Sequence, residues 1–399
     1  MILTMAFVAL AFGAVLSFGA AAALGIWRLV ALGLKRPHPG QLVRLKRALL
    51  LCAAAAVLSL ALAALSQWTA HTPAIRDERG SAPPGSIAEL IPLRLNGRQQ
   101  WITIRGVDAQ KPVLLFLAGG PGGTQLAAAR HELGELEEHF VVVGWDQPGS
   151  GKSYGIRGIP HITVETYLQD GYALTQYLRE RFGKEKLFLV GESWGSALGV
   201  FLIHRHPEAY HAFIGTAPMV DFLQTERTDY AVALERAKGR GDQALVRTLE
   251  ENGPPPYYGS GVTWKTAAYL NDLSAAMAAN PAIHNPGYNT FRDLFSPEYG
   301  VLDQINFFRG LVSTFNEVYP QLYGVDLRKD YARLQVPVAF FVGRHDLNAP
   351  PFLVEEYLGV LNAPAKEIVW FEHSGHSPWI NEGEKFIQEL LARFAPGEL

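Results

Sequence analysis

Leu187-Phe188-Leu189-Val190-Gly191-Glu192-Ser193-Trp194-Gly195-Ser196 sets a short apolar run directly before a G-x-S-x-G turn, and a helical apolar pattern continues over residues 196–204. Strand, tight turn and helix in that order make the turn a nucleophile elbow, with the serine hydroxyl raised above the end of the strand. The elbow strains the serine backbone and brings strand and helix close together, which is why glycine is needed on both sides. A second glycine cluster, Ala118-Gly119-Gly120-Pro121-Gly122-Gly123, follows another apolar run at residues 113–117. A loop there can donate a backbone N–H to an oxyanion, so Gly120 and Trp194 are the expected pair of donors. Gly149-Ser150-Gly151-Lys152-Ser153 invites a phosphate-loop reading, but that loop needs glycine five residues before Gly151, and Asp146 stands there.

Outward from the elbow, further apolar runs occur at residues 101–104, 141–143, 212–214, 338–342 and 367–371. Most are continuous rather than alternating, as strands covered on both faces require. Helical patterns fill the gaps, for instance over 164–181, so a largely parallel sheet with helices on both faces is expected. Between Pro218 and Asp330 the strand runs disappear. Helical pieces at 226–238, 242–251, 264–279 and 303–315 replace them, broken by stretches such as Gly253-Pro254-Pro255-Pro256. Inserted between two strands, such a block is expected to cap the carboxyl edge of the sheet, where ligands bind.

A serine on this kind of turn is followed along the chain by its acid and then its histidine. Asp346 lies after the run 338–342 and His376 after 367–371, both at the edge where Ser193 is expected. His345 and His373 are rivals for the base, but the glycine before His376 suits a sharp loop returning the ring to the elbow. Asp326 and Asp330 precede their strand and belong to the opposite end of the sheet. The chemistry needs neither metal nor cofactor.

The N-terminal region has a different composition. Residues 1–27 and 48–70 carry no charged side chain, and each exceeds the ~20 apolar residues that cross a bilayer. Five Lys/Arg lie at 35–47 between them, which by the positive-inside rule puts that loop in the cytoplasm and the C-terminal part outside. Without the six basic residues of 28–47 the rest of the chain has 29 basic against 38 acidic side chains, the wrong balance for a nucleic-acid partner. The single cysteine, Cys52, lies in the second apolar run and can form no intrachain disulfide. The expected division is a two-helix anchor in the lipid bilayer at 1–70, a Pro/Gly linker at 71–86, a first core segment at 87–217, a cap at 218–330 and a second core segment at 331–399.

Together the motifs Gly119-Gly120-Pro121-Gly122, Asp146-Gln147-Pro148-Gly149-Ser150-Gly151, Gly191-Glu192-Ser193-Trp194-Gly195-Ser196, Gly343-Arg344-His345-Asp346 and Ser374-Gly375-His376-Ser377 resemble the proline iminopeptidase branch of the α/β-hydrolases, from Val113 onward. The resemblance implies a serine aminopeptidase acting on short peptides, with Ser193, Asp346 and His376 as the triad and Gly120 and Trp194 in the oxyanion hole. The chain departs from the family pattern at Ala118, where histidine is usual, and at Pro148, where arginine is usual. It also lacks the family's Glu-bearing cap segments that hold the substrate amine. A free α-amine needs a carboxylate partner. Glu192, Glu226 and Glu317 are the candidates, the latter two competing with a reading as solvated helix positions. A membrane-associated carboxylesterase or lipase is the alternative activity, and an inactive hydrolase-fold binding module is a third reading.

Overall fold

The structure is a computed structural model that describes residues 2–36, 38–155, 161–285 and 287–394. Pro37 of the basic loop and residues 395–399 of the last core segment lie outside these. By backbone proximity the chain forms two units, one comprising Met1–His71 with Phe295–Ile305 and the other Thr72–Leu294 with Asn306–Leu399.

In the first unit two helices, Ile2–Gly33 and Gly40–Trp68, are long and apolar enough to cross a membrane, and most of their large apolar side chains are exposed. Both run past the uncharged stretches, because Arg28, Arg44, Lys46 and Arg47 are good helix formers. The segment Phe295–Ile305, expected to belong to the cap, instead closes on the end of the second helix. There Val301 N–H donates to Ser66 Oγ at 3.0 Å and Gln67 Nε2 to Asp303 at 2.9 Å.

The second unit is built on an eight-stranded sheet: β1 (Ile87–Leu95), β2 (Arg98–Gly106), β3 (Val113–Leu117), β4 (Val141–Asp146), β5 (Leu187–Glu192), β6 (Tyr210–Thr216), β7 (Val338–Gly343) and β8 (Lys366–Phe371), in the order β1-β2-β4-β3-β5-β6-β7-β8. Only the β1/β2 and β2/β4 pairings are antiparallel. The continuous apolar runs follow from burial on both faces: Val113, Leu115 and Leu117 point into one core while Leu114 and Phe116 point into the other. β1, which the apolar pattern does not reveal, pairs with β2 through the two-residue turn Asn96-Gly97, both at positive φ (+45° and +83°). Asn-Gly is the favoured sequence for such a turn.

The strand order reverses between β3 and β5, so loops leaving their carboxyl ends diverge and open a crevice. The glycine cluster and the elbow flank it. The inserted helices Phe222–Gly239, Gln243–Asn252 and Val262–Ala278 form a separate small core from Tyr230, Leu249, Tyr257, Tyr269 and Leu273.

The β1–β2 hairpin is tied down by one buried carboxylate. Asp170, in the helix Val164–Phe182, accepts from Asn96 and Arg98 (each 2.8 Å) and from the fully buried Gln100 at 2.6 Å. Asp170→Ala strands these donors and is expected to destabilise the second unit by about 3 kcal/mol. A thermal melt should show a clear drop for that variant and a smaller one for Asp170→Asn.

Candidate active site

Ser193 closes β5 with φ +52° and ψ −119°, a conformation that only a tightly packed turn maintains in a residue with a Cβ. The packing explains both glycines. A Cβ on Gly191 would run into the Gly195 carbonyl, and one on Gly195 into the Leu117 carbonyl of β3. The helix Trp194–Arg205 starts immediately after the serine, which turns the Trp194 N–H toward the carboxyl edge of the sheet. Trp194 itself is fully buried, its indole donating to Gln147 at 2.9 Å, while Gln147 Nε2 donates to the Ala118 carbonyl at 2.9 Å. One side chain from the loop after β4 thus braces both the elbow helix and the start of the glycine loop.

Gly120, Ser193 and Trp194 line the same cavity, of about 50 Å3, walled by Met219, Phe222, Leu270, Phe315 and Tyr319. A wider recess of about 580 Å3, on the outer face of the helix Phe222–Gly239, includes Asp221, Gln224 and Arg227 but neither serine nor histidine. The small cavity is the one that holds Ser193.

His376 Nδ1 lies 2.9 Å from Asp346 Oδ2 and 3.1 Å from Oδ1. Asp346 is buried, and its Oδ1 also accepts from the N–H groups of Asn348 (2.8 Å) and Ala349 (2.9 Å), so loop backbone orients the carboxylate. Burial alone would lower the imidazole pKa. The charge and hydrogen bond of Asp346, with a contribution from Glu192, outweigh it and leave His376 above its ordinary value of 6.5. Gly375 takes no left-handed turn, and an added Cβ would lie 3.0 Å from Met277 Sδ, the end of a flexible side chain. Two of the rival groups are occupied elsewhere. His373 is exposed, stacks on His284 and meets the Ala282 carbonyl, and Asp326 caps a short helix and pairs with Arg328.

The three candidate glutamates occupy different environments. Glu192 accepts from Gln125 (2.5 Å), Tyr288 (2.5 Å), Ser377 (3.2 Å) and Trp379 (2.8 Å), so its carboxylate is engaged within the protein and is not offered to an amine. It joins the elbow to the glycine loop, to the histidine loop and to Tyr288 of the inserted region. Glu317 accepts from the Ile162 N–H at 3.0 Å and is likewise engaged. Glu226 is not on a solvated face. It is buried and accepts from Tyr269 and, at 2.7 Å, from Tyr319, whose ring lines the Ser193 cavity. One turn further along the same helix lies Asp229, which the sequence reading missed. It is fully buried, and neither of its oxygens has a hydrogen-bond partner among the described residues. Burial, then the charges of Glu226 and Asp346, drive its pKa well above the usual carboxylate range. The i, i+3 spacing of Glu226 and Asp229 on a cap helix was the available signal.

The fold is that of an α/β-hydrolase, and comparison with known proteins places the chain within that class. A family model described as "Serine aminopeptidase, S33" matches residues 132–273. The "Probable aminopeptidase YbaC" of Bacillus subtilis is 32% identical over 314 residues, covering 76% of this chain and 96% of that protein. A proline iminopeptidase of Lactobacillus delbrueckii subsp. bulgaricus is 25% identical over 74% of this chain and 93% of its own. The crystal structure of proline iminopeptidase from Mycobacterium smegmatis shares the fold, with TM-score 0.54, 17% identity and coverage of 76% of this chain and 97% of that one. The chain belongs to the serine aminopeptidase family of α/β-hydrolases.

Burial raises the Glu226 pKa from 4.5 to about 7 despite its tyrosine donors. The native state therefore holds a proton there that the unfolded chain releases near pH 4.5, so this group's contribution to stability falls as pH rises from 4.5 to about 7. Glu226→Gln removes the dependence. It is expected to raise the melting midpoint at pH 8, by up to about 3 kcal/mol of stability, and to leave it unchanged at pH 4.

Proposed function

We propose that this chain is a membrane-anchored aminopeptidase that cleaves short peptides through a Ser193 acyl-enzyme. The observation carrying the reading is the strained Ser193 sharing one small cavity with the N–H bearers Gly120 and Trp194, on the sheet edge where the His376–Asp346 pair also lies. In this reading His376 takes the Ser193 proton as Oγ attacks the scissile carbonyl, and Asp346 holds the ring and stabilises the imidazolium. The carbonyl oxygen becomes an oxyanion facing the N–H groups of Gly120 and Trp194, each worth ~3–4 kcal/mol of transition-state stabilisation. His376 then protonates the leaving amine, and water, activated by the same imidazole, hydrolyses the ester.

Recognition of a free N-terminus is assigned to Asp229 and Glu226. A substrate ammonium brings the hydrogen-bond donors that Asp229 lacks and the positive charge that two crowded, proton-retaining carboxyls favour. The apolar walls Met219, Phe222, Leu270 and Phe315 suit a small apolar side chain in the residue being removed. The helices Ile2–Gly33 and Gly40–Trp68 are assigned to the bilayer with the basic loop 35–47 in the cytoplasm, so the site faces outward. The segments 87–217 and 331–399 are the hydrolase core, and 218–330 supplies the cap, apart from Phe295–Ile305.

The full chain in detergent is expected to hydrolyse aminoacyl p-nitroanilides, with Ser193→Ala costing at least ~10^3-fold in kcat. N-acetylation of the substrate should abolish turnover, and Asp229→Asn should raise KM about 10-fold for free-amine substrates only. Because the base must be neutral, kcat/KM should be lost as pH falls through a value above 6.5, and Asp346→Asn should remove that position of the limb. The apolar cavity and apolar helices also favour a carboxylesterase, and turnover of p-nitrophenyl esters with none of aminoacyl anilides would establish that activity instead.

A further inference from the structure

The helix Val301–Arg309 does not run straight into Phe315–Val318. The five residues Gly310–Thr314 between them form a π turn, in which Phe315 N–H donates to the Gly310 carbonyl five residues back. Such turns carry one residue too many for an α-helix and are kept where a side chain or backbone must be re-aimed. Here the extra residue brings backbone onto backbone. A Cβ on Gly310 would lie 2.5 Å from the Gly122 carbonyl oxygen and 2.7 Å from that of Gly149, so the turn sits directly on the glycine loop and on the loop after β4. Gly122, at φ +95°, has no room for a side chain facing Gly310. The seat is fastened by Thr314 Oγ1 donating to the Gly149 carbonyl at 2.9 Å and by Ser313 Oγ meeting Tyr154 Oη at 2.7 Å. The turn's carbonyls at Leu311 and Val312 accept from Thr263 Oγ1 (3.3 and 3.0 Å), so nothing in the turn itself forces it back to a regular helix.

Two residues before Gly122 in the same loop is Gly120. A Cβ there would lie 2.9 Å from Gly122 N and 3.0 Å from Gly123 N, so the loop is folded on itself and a shift at Gly122 moves Gly120 with it. At its other end the π turn delivers Phe315, which walls the Ser193 cavity.

We infer that Gly310 is a positioning residue: the π turn presses the loop of Gly120 into the orientation in which its N–H faces the developing oxyanion, and cap seating and oxyanion-hole assembly are one event. The inference rests on the assignment of Gly120 as a donor to a Ser193 acyl transfer. Its consequence is that disturbing the seat lowers kcat and leaves ground-state binding alone, since the donor interaction matures only in the transition state.

The test uses the full chain in detergent with an aminoacyl p-nitroanilide, or with a p-nitrophenyl ester if esters are the better substrates. Phenylboronic acid, which forms a tetrahedral adduct on a serine hydroxyl, serves as the transition-state probe. Gly310→Ala is expected to lower kcat by about 10- to 100-fold, short of or comparable to deleting one donor, with KM within about two-fold. Boronate affinity should fall in parallel, in an enzyme that still folds but melts at a lower temperature than wild type. Thr314→Ala should give a smaller loss of the same kind, and Thr314→Ser should restore wild-type kcat through the retained hydroxyl. A folded Gly310→Ala enzyme with unchanged kcat and boronate affinity, or with a loss confined to KM, would overturn the inference. If Gly310→Ala does not fold, the threonine pair decides, and a Thr314→Ala enzyme equal to wild type overturns it. Wild-type turnover that survives Ser193→Ala would remove the acyl-transfer reading and this inference together, whereas Ser193-dependent turnover indifferent to Gly310 removes the inference alone.

Discussion

At φ +52° and ψ −119°, Ser193 occupies backbone space that costs roughly 1–3 kcal/mol for a residue with a Cβ, and the rest of the second unit is arranged to hold it there. The strain is confined by packing on both sides: β5 cannot move away because β3 and β6 flank it, and the helix Trp194–Arg205 is fully buried over most of its length. Gly191 and Gly195 are the points at which backbone meets backbone. A regular strand-to-helix connection would lay the serine down along the sheet. The forced one lifts it into the crevice where the strand order reverses.

Glu192, the residue beside the strained serine, passes that placement on to its surroundings. Its buried carboxylate accepts from Gln125 on the glycine loop, from Ser377 and Trp379 beside His376, and from Tyr288 of the inserted region. Four donors from three separate segments converge on one charge, which is the condition under which a buried carboxylate stabilises a fold instead of straining it. Gln125 Oε1 in turn accepts from Gly119 N–H at 3.2 Å, so the network reaches the loop that holds Gly120. The same group that looks from sequence like a substrate anchor is thereby spent on architecture. The carboxylate with an unmet need among the described residues, Asp229, lies on the cap helix.

The parts legible in the sequence were those in which local pattern and global fold agree. β3, β4, β5 and β7 announce themselves because burial on both faces makes all but their last residues apolar or glycine, and the elbow because glycine is the only residue that fits. β1 was hidden because one of its faces is partly exposed and its run Ile87–Leu95 mixes Glu89, Pro92 and Arg94 into the apolar pattern; the Asn96-Gly97 turn was its only loud signal. The ends of the inserted helices Phe222–Gly239, Gln243–Asn252 and Val262–Ala278 lie a few residues from those the sequence pattern implies. The helical pattern over 303–315 runs straight through the π turn, since a five-residue bond leaves the spacing of apolar side chains almost unchanged. Which carboxylates are buried could not be read either. Glu226 is enclosed by Tyr269 and Tyr319, 43 and 93 residues away along the chain. The membership of Phe295–Ile305 in the first unit is of the same kind, fixed by hydrogen bonds spanning more than 200 residues.

In the proposed mechanism the strained serine, the two N–H bearers and the His376–Asp346 pair act on one reacting centre. A crystal structure of the full chain after reaction with a fluorophosphonate tests it most directly. Phosphorus should be bonded to Ser193 Oγ, with a phosphoryl oxygen within ~3 Å of both Gly120 N and Trp194 N and His376 Nε2 within hydrogen-bond reach of the adduct. An adduct on another residue, or one on Ser193 whose oxygen points away from both N–H groups with the imidazole out of reach, would contradict it.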